Sequence, residues 1–194
     1  MSGLVVGADG LPRCAWAAEP ELYRDYHDLE WGRPVMGEAA HLERLTLEAF
    51  QSGLSWLTIL RKRPGFRAAF ANFDPDTIAT YDAVDVERLM ADPEIVRNRR
   101  KIEATLTNAR ATVQLRAEGG LAAFIEGFRP DQRPAPSSLD SVPGSSAESL
   151  ALSKALKKKG FVFVGPTTMY ALMQALGLVN DHVAGCHARA ADIA

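Results

Sequence analysis

Apolar residues recur along most of this chain at the three- and four-residue spacing of an α-helix. The longest such pattern covers residues 38–62, and its apolar side includes Leu42, Leu45 and Leu60. Residues 63–65, Arg-Pro-Gly, are expected to end this helix, because proline and glycine are poor residues for a helix interior. The pattern therefore predicts one long amphipathic helix in the N-terminal half.

Two residues inside that pattern are unusual for the apolar side of a helix. Glu48 is a carboxylate among hydrophobic neighbours, and Trp56 follows eight positions later. On an uninterrupted helix Glu48, Ser52 and Trp56 share one side, so they would line a common wall. A carboxylate beside an indole face suits a flat cationic or amine-bearing ring. Taken alone, the stretch favours the alternative of a solvated glutamate beside a core tryptophan.

The rest of the sequence also predicts helices with short connections. Asp74-Pro75 indicates a helix start and Gly177 a helix end. A helix, a tight hairpin and a second helix are predicted over about residues 85–117. Residues 161–166 are apolar enough for a strand, but no second convincing strand is present to pair with them, so an extended connector is predicted.

These elements predict one all-α domain over residues 11–190. Residues 1–10 are expected to be a disordered leader and residues 191–194 a tail, while the Pro- and Ser-rich residues 129–147 predict a long surface connection. A chain of 194 residues is long enough for a domain with a substantial core.

Composition restricts the class of protein. A hydrophobic fraction of 47% and a charged fraction of 24% are typical of a soluble globular domain. The formal net charge of −2 gives no global attraction to nucleic acid, so such affinity must come from local basic patches. No apolar run approaches the ~20 residues of a membrane span, and no secretory signal is present, which favours a cytoplasmic protein without membrane contact.

Two cysteines and two histidines form a candidate metal set: Cys14 and His27 near the N-terminus, His182 and Cys186 near the C-terminus. Thiolate and imidazole are ligands that tetrahedral zinc prefers, and four protein ligands would make that zinc structural. The spacing between Cys14 and His27 is too long for a local finger motif, so the fold would have to assemble the site. His187 is the only competitor for the fourth ligand. Two buried thiols and two hydrogen-bonded histidines explain the same residues equally well.

A basic run, Arg97-Asn98-Arg99-Arg100-Lys101, lies in the predicted hairpin. Backbone N–H groups at a helix start attract phosphate, and the basic side chains add salt-dependent attraction to a nucleic-acid backbone. Further basic clusters at residues 61–63 and 157–159 favour a shared anion-binding face. A solvated basic helix start is the simpler alternative, because the sequence does not show whether the clusters converge.

Large aromatic residues are concentrated near the N-terminus, where Trp16, Tyr23, Tyr26, Trp31 and Trp56 all fall within the first 56 residues. Helical cores more often use Leu and Phe, since Trp and Tyr carry polar groups that need partners. A stacking pocket that includes Glu48 is therefore a rival to the interpretation of these residues as core.

Blocks of residues along almost the whole chain carry a resemblance to a known family. They are Arg13-Cys14-Ala15-Trp16, the run from Tyr26 to Gly32, Gly53-Leu54-Ser55-Trp56, Phe73-Asp74-Pro75, the run from Ile95 to Ile102, the run from Leu152 to Lys158, Gly160-Phe161, Phe163-Val164-Gly165 and the run from Gly177 to His182. With these blocks the chain resembles the bacterial 3-methyladenine DNA glycosylase I family over about residues 12–186.

The resemblance implies a helix–hairpin–helix glycosylase fold in which a structural Zn²⁺ joins the two chain ends. The implied zinc ligands are Cys14, His27, His182 and Cys186. The implied activity is that of a monomeric DNA repair enzyme, which flips a base out of alkylated double-stranded DNA and hydrolytically releases 3-methyladenine without a lyase step.

The resemblance also implies roles for individual residues. Glu48 and Tyr26 are implied as catalytic residues that hydrogen-bond the flipped base, Trp56 as its stacking partner, and Trp16 and Trp31 as pocket walls. The run Arg97-Asn98-Arg99-Arg100-Lys101 is implied to anchor DNA, and Leu54 is a guess for the residue that fills the gap in the duplex. Asp181 belongs to the zinc-linked block, so it is a poor candidate for assisting departure of the base.

Two positions depart from the family pattern. Arg100 stands where the family's hairpin often has glycine, so Asn98 is the residue expected to take a left-handed conformation. Phe50 stands where relatives carry glutamine, and it either narrows the pocket or faces the core.

The rival functional interpretation is a zinc-stabilised module that recognises damaged DNA without catalysis. The combination of Glu48, Tyr26 and Trp56 argues against it. A metal-dependent hydrolase would need an open coordination position, and the four-ligand set leaves none.

Overall fold

The computed structural model describes residues 3–131 and 133–190, and it shows a mostly helical chain with one small sheet. The helices are α1 (Glu21–Leu29), α2 (Glu38–Gln51), α3 (Trp56–Ala69), α4 (Pro75–Ala79), α5 (Ala83–Ala91), α6 (Arg99–Leu115), α7 (Gly120–Glu126), α8 (Ala147–Lys158), α9 (Pro166–Ala175) and α10 (His187–Ala190). Short 3-10 turns cover Ala15–Ala17, Ala71–Phe73, Arg116–Glu118 and Leu139–Ser141. The mostly helical prediction is confirmed, although the sheet makes the class not strictly all-α. Among the described residues, no helix is long and apolar enough to cross a membrane.

The sheet lies where a disordered leader was predicted. Strand β1 (Leu4–Val6) pairs antiparallel with β2 (Pro12–Cys14), with Leu4 opposite Cys14. The Ala15 N–H extends this pairing by donating to the Gly3 carbonyl at 2.9 Å. The leader prediction is therefore wrong for residues 3–10, because a local partner strand satisfies their backbone. Residues 1–2 and the predicted tail 191–194 lie outside the described residues.

The long helix predicted over residues 38–62 is two helices. The chain turns between α2 and α3, where Gly53 has a φ of +82°, a left-handed conformation that glycine adopts readily. The Ser55 hydroxyl then caps α3 by accepting from the Thr58 N–H at 3.2 Å. Residues 63–65 do not end α3, since the fully buried Phe66 holds its second half in the core. The argument that Glu48, Ser52 and Trp56 share one helix side is therefore wrong.

Helix α2 lies at the centre of the helical body, against α3, α6, α7 and α9. Its buried apolar residues include Leu42, Leu45 and Leu47. Phe50 is also fully buried, and its ring centroid lies 4.7 Å from that of Phe66. Of the two alternatives for Phe50, the structure shows the core-facing one.

Two connections have the irregular structure that the sequence predicts. The described residues of the connection 129–147 contain only the short turn Leu139–Ser141. Residues 161–165 form no strand, and Asn108 holds them in place. The Asn108 side chain donates to the Val162 carbonyl at 3.1 Å and accepts from the Val162 N–H at 2.8 Å.

Helices α5 and α6 pack against each other and occupy the region where a helix pair was predicted. Asn98 has a φ of −129° and caps α6, its side-chain oxygen accepting from the Lys101 N–H at 3.2 Å. The expectation of a left-handed Asn98 is wrong. Arg100 lies in the first turn of α6, where the right-handed helical backbone needs no glycine.

Lys101 joins the start of α6 to the end of α2. It is only 7% exposed, and its ammonium donates to the carbonyls of Phe50 at 2.8 Å and Ser52 at 2.6 Å. Carbonyls at a helix C-terminus lack helical partners and carry partial negative charge, so a buried cation there is stabilising. This contact fixes the α2–α3 turn beside the start of α6.

We expect Lys101→Met to lower the free energy of unfolding by roughly 1–3 kcal/mol, because two buried carbonyls lose their donor. Urea denaturation measures the change. The matched control is Lys154→Met, since Lys154 is exposed on α8 and its loss should cost less than about 0.5 kcal/mol. Equal denaturation midpoints for the two variants would show that the Lys101 contacts contribute nothing.

Candidate functional site

A cavity of about 410 Å³ lies between the aromatic residues near the N-terminus and segments from the C-terminal third of the chain. Its lining consists of Trp16, Tyr26, Trp31, Glu48, Gln51, Trp56, Leu139, Val142, Ala171, Gln174 and Asp181. All five residues predicted for catalysis and base binding are among them. Ser52, which an uninterrupted helix would have added, is exposed in the α2–α3 turn and does not line the cavity.

Glu48 is the most unusual group in this cavity. It is 6% exposed, and neither oxygen of its carboxyl forms a hydrogen bond with any described residue. Burial raises the pKa of Glu48 from its ordinary 4.5 to about 8, and the nearby positive charge of Arg44 opposes that rise. A buried carboxyl without a partner is costly, so it is suited to receive a donor or a cation from a ligand.

Aromatic rings form the walls around this carboxyl. The centroids of Tyr26 and Trp56 lie 5.3 Å apart at an interplanar angle of 57°, and those of Trp16 and Trp31 lie 5.1 Å apart, edge to face. The Trp56 indole N–H is buried and has no hydrogen-bond partner in the described structure. Burial, and then the charge of Glu48, raise the pKa of Tyr26, so its hydroxyl stays neutral and is able to donate.

Tyr23, the remaining aromatic residue of the predicted set, does not line the cavity. Its hydroxyl accepts from the Leu57 N–H at 2.9 Å, in the first turn of α3. Its ring also packs edge to face on Trp16, with centroids 5.8 Å apart. Tyr23 therefore holds the first turn of α3 and the Trp16 ring in place from outside the cavity.

Six lining residues escaped prediction: Gln51, Leu139, Val142, Ala171, Gln174 and Asp181. Gln51 stands three positions after Glu48 on α2, a helical spacing from which its place in the lining could have been predicted. Leu139 and Val142 belong to an aperiodic connection, and nothing in its pattern indicates a pocket wall.

Asp181 lies in the pocket wall as well as beside His182 of the metal set. Its Oδ2 accepts from the Tyr170 hydroxyl at 2.7 Å and from the Gln174 side-chain amide at 2.9 Å. Membership of the metal-linked block, which made Asp181 a poor candidate, thus does not remove it from the pocket. Both of its donors come from α9, so Asp181 ties that helix to the cavity.

A charged cluster of Glu30, Arg44 and Arg63 lies behind Glu48, and the sequence did not indicate it. Arg63 donates to both oxygens of Glu30 at 2.7 Å each, and Arg44 donates to Oε2 at 2.7 Å. Burial alone would raise the pKa of Glu30, but these hydrogen bonds outweigh it and lower that pKa to about 2. Glu30 is therefore an anion that anchors both guanidiniums.

The predicted metal ligands also come together. The ligand atoms of Cys14, His27, His182 and Cys186 all lie within 4.8 Å of one another, and all four residues are buried. Cys14 Sγ lies 3.9 Å from His182 Nδ1, which lies 3.1 Å from His27 Nε2. Cys186 Sγ lies 3.4 Å from His27 Nε2 and 3.6 Å from His182 Nδ1. This group could hold a metal ion.

The other nitrogen of each histidine in this group has an oxygen partner. His27 Nδ1 lies 2.7 Å from Asp28 Oδ1, and His182 Nε2 lies 3.3 Å from the Trp31 carbonyl. Arg13 holds Asp28 in place with hydrogen bonds of 2.8–3.1 Å. These contacts fix which ring nitrogen points into the cluster, as is usual for histidines that bind metals. His187 contacts Asp28 at 3.0 Å and is not part of the four-residue group.

The basic run is divided between surface and interior. Arg97, Asn98, Arg99 and Arg100 are exposed, whereas Lys101 is buried and its ammonium is engaged by two backbone carbonyls. Arg99 is paired with Glu87 at 2.8 Å. The Arg100 guanidinium lies over the Phe163 ring, 5.9 Å from its centroid.

The other basic clusters are largely occupied by contacts within the protein. Lys62 donates to the Pro93 carbonyl, Arg63 to Glu30 and Lys159 to Glu118. Arg61, Lys157 and Lys158 are exposed. The three clusters therefore contribute fewer free charges than their sequence indicates.

Comparison with known proteins shows which family this chain resembles. The model of the family described as methyladenine glycosylase matches residues 16–190. DNA-3-methyladenine glycosylase 1 of Escherichia coli is 46% identical over 179 residues, which is 91% of this chain and 96% of that protein.

Solved structures with a similar fold point to the same family. A crystal structure of 3-methyladenine DNA glycosylase I superposes with a TM-score of 0.86 at 47% identity, over 90% of this chain and 98% of the other. A Staphylococcus aureus structure, described as the structural basis of 3-methyladenine recognition by 3-methyladenine DNA glycosylase I, gives a TM-score of 0.85 at 33% identity, over 91% and 96% of the two chains. A buried, unpartnered carboxyl in an aromatic cavity thus lies within a fold shared along almost the full chain, and the protein belongs to the methyladenine glycosylase family.

Proposed function

We infer that this protein is a DNA repair glycosylase that releases 3-methyladenine from alkylated DNA. The observation that carries the inference is the buried Glu48 carboxyl, which has no protein hydrogen-bond partner and faces a cavity walled by tyrosine and tryptophan. The relatives that match almost the whole chain are named for this activity. A base must leave the DNA stack to enter such a cavity, because the carboxyl lies inside the protein.

The chemistry of the lesion suits this cavity. Methylation at N3 makes adenine cationic in DNA, which weakens the glycosidic bond and makes the base a good leaving group. Rings of Trp and Tyr attract a flat cation, and Glu48 accepts hydrogen bonds from its exocyclic amine. Selective binding of the extruded base then accounts for much of the catalysis, and water completes the hydrolysis.

Each pocket residue has a distinct role in this proposal. Glu48 recognises the base in its ionised form, because an approaching cation offsets the cost of burying the charge. Tyr26 donates a hydrogen bond from its neutral hydroxyl. Trp56 stacks on the base, while Trp16 and Trp31 close the pocket. No lysine lines the described cavity, so a Schiff-base lyase step has no nucleophile there.

A module that binds damaged DNA without catalysis is the second candidate. The same cavity would serve it, since recognition of the base uses the same contacts. Release of free base distinguishes the two functions.

We expect the purified protein to release 3-methyladenine from methylated duplex DNA, identified by chromatography, and no base from undamaged DNA. Glu48→Gln should lower kcat/KM by roughly 10- to 100-fold, because a charge-assisted hydrogen bond is lost. Trp56→Ala should lower it by roughly 3- to 30-fold through the loss of stacking and cation–π attraction.

The matched control for that experiment is Glu43→Gln. Glu43 lies on the same helix as Glu48 but pairs with Arg67 away from the cavity, so its change should leave the rate intact. Binding to methylated DNA without any base release would support the module instead, and full activity of Glu48→Gln would refute the role of its carboxylate.

We propose that the α5–α6 region is a helix–hairpin–helix that anchors double-stranded DNA to the monomeric protein. The first N–H groups of the 17-residue helix α6 are a favourable phosphate site, and the exposed Arg97 and Arg100 flank them. Lys101 supports the proposal from inside, since it fixes this helix start beside the turn Ser52–Ser55. In that turn Leu54 is 40% exposed, which suits a side chain that fills the space left by the base.

The DNA-anchoring role predicts a charge effect confined to one end of α6. Arg97→Ala and Arg100→Ala should each weaken binding to a duplex with a tetrahydrofuran abasic analogue, and each should reduce the slope of log K against log salt by about 1. Fluorescence anisotropy at several salt concentrations measures both.

Arg116→Ala is the control for the DNA experiment. Arg116 follows the opposite end of α6 and pairs with Glu38 and Asp76, so its removal should cost some stability without changing the salt slope. If all three variants reduce the slope equally, α6 does not present DNA with a specific phosphate site.

We propose that the Cys14, His27, His182 and Cys186 group holds a structural Zn²⁺. Zinc–sulfur and zinc–nitrogen bonds of about 2.0–2.3 Å place tetrahedral ligands roughly 3.3–3.8 Å apart, close to the observed separations of 3.1–3.9 Å. The hydrogen bond from Cys14, and then those from the histidines, lower the pKa of Cys186, while the hydrogen bond to Cys186 and burial raise the pKa of Cys14. One thiolate is therefore favoured, and zinc binding would displace the proton of Cys14. The ion would join the first strands to the segment before α10.

The zinc proposal predicts about one metal ion per chain by elemental mass spectrometry. His182→Ala should lose the metal and lower the Tm, because two buried thiols and a histidine lose their common partner. His187→Ala should keep the metal, since His187 contacts Asp28 and not the four-residue group. Purified wild-type protein that folds with no stoichiometric metal would refute the proposal.

A further inference from the structure

Arg44 is a buried cation behind the base pocket, and part of its hydrogen-bonding capacity is unused. It is 7% exposed and lies on α2 one helical turn before Glu48. Its Nη2 donates to Glu30, while its Nη1 is buried without a hydrogen-bond partner among the described residues. Its guanidinium carbon lies 5.7 Å from the centroid of the Tyr26 ring. One side of Arg44 is thus anchored by Glu30, and its guanidinium also lies against the Tyr26 ring of the pocket.

The Glu30 cluster contains two guanidiniums and one carboxylate, so its hydrogen-bonded groups carry one excess positive charge. Glu30 already has a bidentate partner in Arg63, and that pair is neutral by itself. The second guanidinium, on Arg44, is left to be balanced by another anion. The carboxyl on the same side of α2 is that of Glu48, which interacts electrostatically with Arg44.

We propose that Arg44, anchored by Glu30, is a positioning residue that favours the charged form of Glu48, which is the form required to receive a cationic purine. The proposal rests on the function inferred above and extends it to a residue outside the cavity lining. Arg44 acts through Glu48 and the Tyr26 ring and does not touch the base.

Other charged groups around Glu48 do not supply this effect. Tyr26 on α1 is neutral and Glu30, directly after α1, is negative, so neither favours a second anion. Asp181, in the segment after α9, is also acidic, and Tyr170 donates to it. Arg63 on α3 is held by both oxygens of Glu30. Arg44 is therefore the cation among these groups that acts on Glu48.

The sign of the pH effect follows from these charges. Burial raises the pKa of Glu48 to about 8, so the carboxylate becomes populated only as the pH rises towards that value. Removing Arg44 removes the charge that opposes this rise, and ionisation then requires a still higher pH. The loss of kcat/KM on removal of Arg44 should therefore be largest on the acid side of the pH profile.

The test is the pH dependence of kcat/KM for 3-methyladenine release by wild type, Arg44→Met and Glu48→Gln. We expect Arg44→Met to move the acid limb upward by on the order of one pH unit, which is about a tenfold loss at pH 7. Glu48→Gln should remove the limb. Carbon-13 NMR of the glutamate carboxyl groups measures the Glu48 titration midpoint in the DNA-free protein, independently of turnover, and should show the same upward movement.

Two further variants separate charge from structural support. Arg63→Met removes a positive charge from the same Glu30 cluster but leaves Arg44 on the helix of Glu48, so it should lower stability and move the acid limb and the NMR midpoint clearly less than Arg44→Met does. Arg44→Lys keeps the charge and should restore the limb towards its wild-type position. If Arg44→Met does not fold, Arg44→Gln keeps a donor for Glu30 and should show the same shift.

The outcomes distinguish this proposal from the function on which it rests. If Glu48→Gln keeps the wild-type profile, the role of Glu48 in the proposed function fails. If Glu48→Gln removes the limb but Arg44→Met leaves both limb and midpoint unchanged, Arg44 is only structural and the present proposal fails. Equal shifts in Arg44→Met and Arg63→Met would also overturn it, because they would assign the effect to the whole cluster.

Discussion

Burial of one carboxyl without a hydrogen-bond donor is the constraint on which the rest of the site depends. Desolvating Glu48 is unfavourable, and the fold tolerates it because α2 is held rigidly from several sides. Lys101 holds the C-terminal end of α2, and the Glu30–Arg44–Arg63 cluster lies behind it. The protein thus maintains a buried carboxyl that has no hydrogen-bond donor among the described residues.

Direct contacts connect the pocket to the metal-ligand cluster on one side and to the start of α6 on the other. Trp31 packs on His182 with centroids 4.6 Å apart, and Trp16 packs on His27 at 5.3 Å, so the pocket wall and the metal-ligand cluster share a boundary. Lys101 connects the opposite side of the pocket to the start of α6. Extrusion of the base, its recognition and the joining of the chain ends are therefore supported by contiguous contacts.

Much of this arrangement could be predicted from sequence because it depends on rare residues. Three tryptophans, two cysteines and a carboxylate within an apolar pattern raised the pocket and the metal-ligand cluster as hypotheses, but core packing and buried thiols explained the same residues. The resemblance of the sequence blocks to a known family was needed to favour the pocket and the cluster. Helix content followed from periodicity. The break between α2 and α3 did not, because a single glycine turn is weaker in sequence than the apolar pattern on both sides of it.

Features that depend on contacts between distant parts of the chain escaped prediction, because local sequence does not show which residues meet. Lys101 looked like a surface cation, but the carbonyls that bury it lie about fifty residues earlier in the chain. Arg44 and Glu30 have ordinary helical spacings, and only the tertiary structure shows that they meet and that Arg44 Nη1 is left without a partner among the described residues. Leu139 and Val142 come from a segment with no periodicity, so their part in the pocket wall has no local signature.

The long separation between the two halves of the site has a consequence for biosynthesis. Val183 donates its N–H to the Cys14 sulfur, a contact across 169 positions, and Asp181 completes the wall that Trp16 begins. During translation the aromatic residues of the first 56 positions emerge first and can contact one another, as Trp16 with Trp31 and Trp56 with Tyr26 do in the folded chain. The pocket wall that contains Asp181 can form only after more than a hundred further residues have been synthesised.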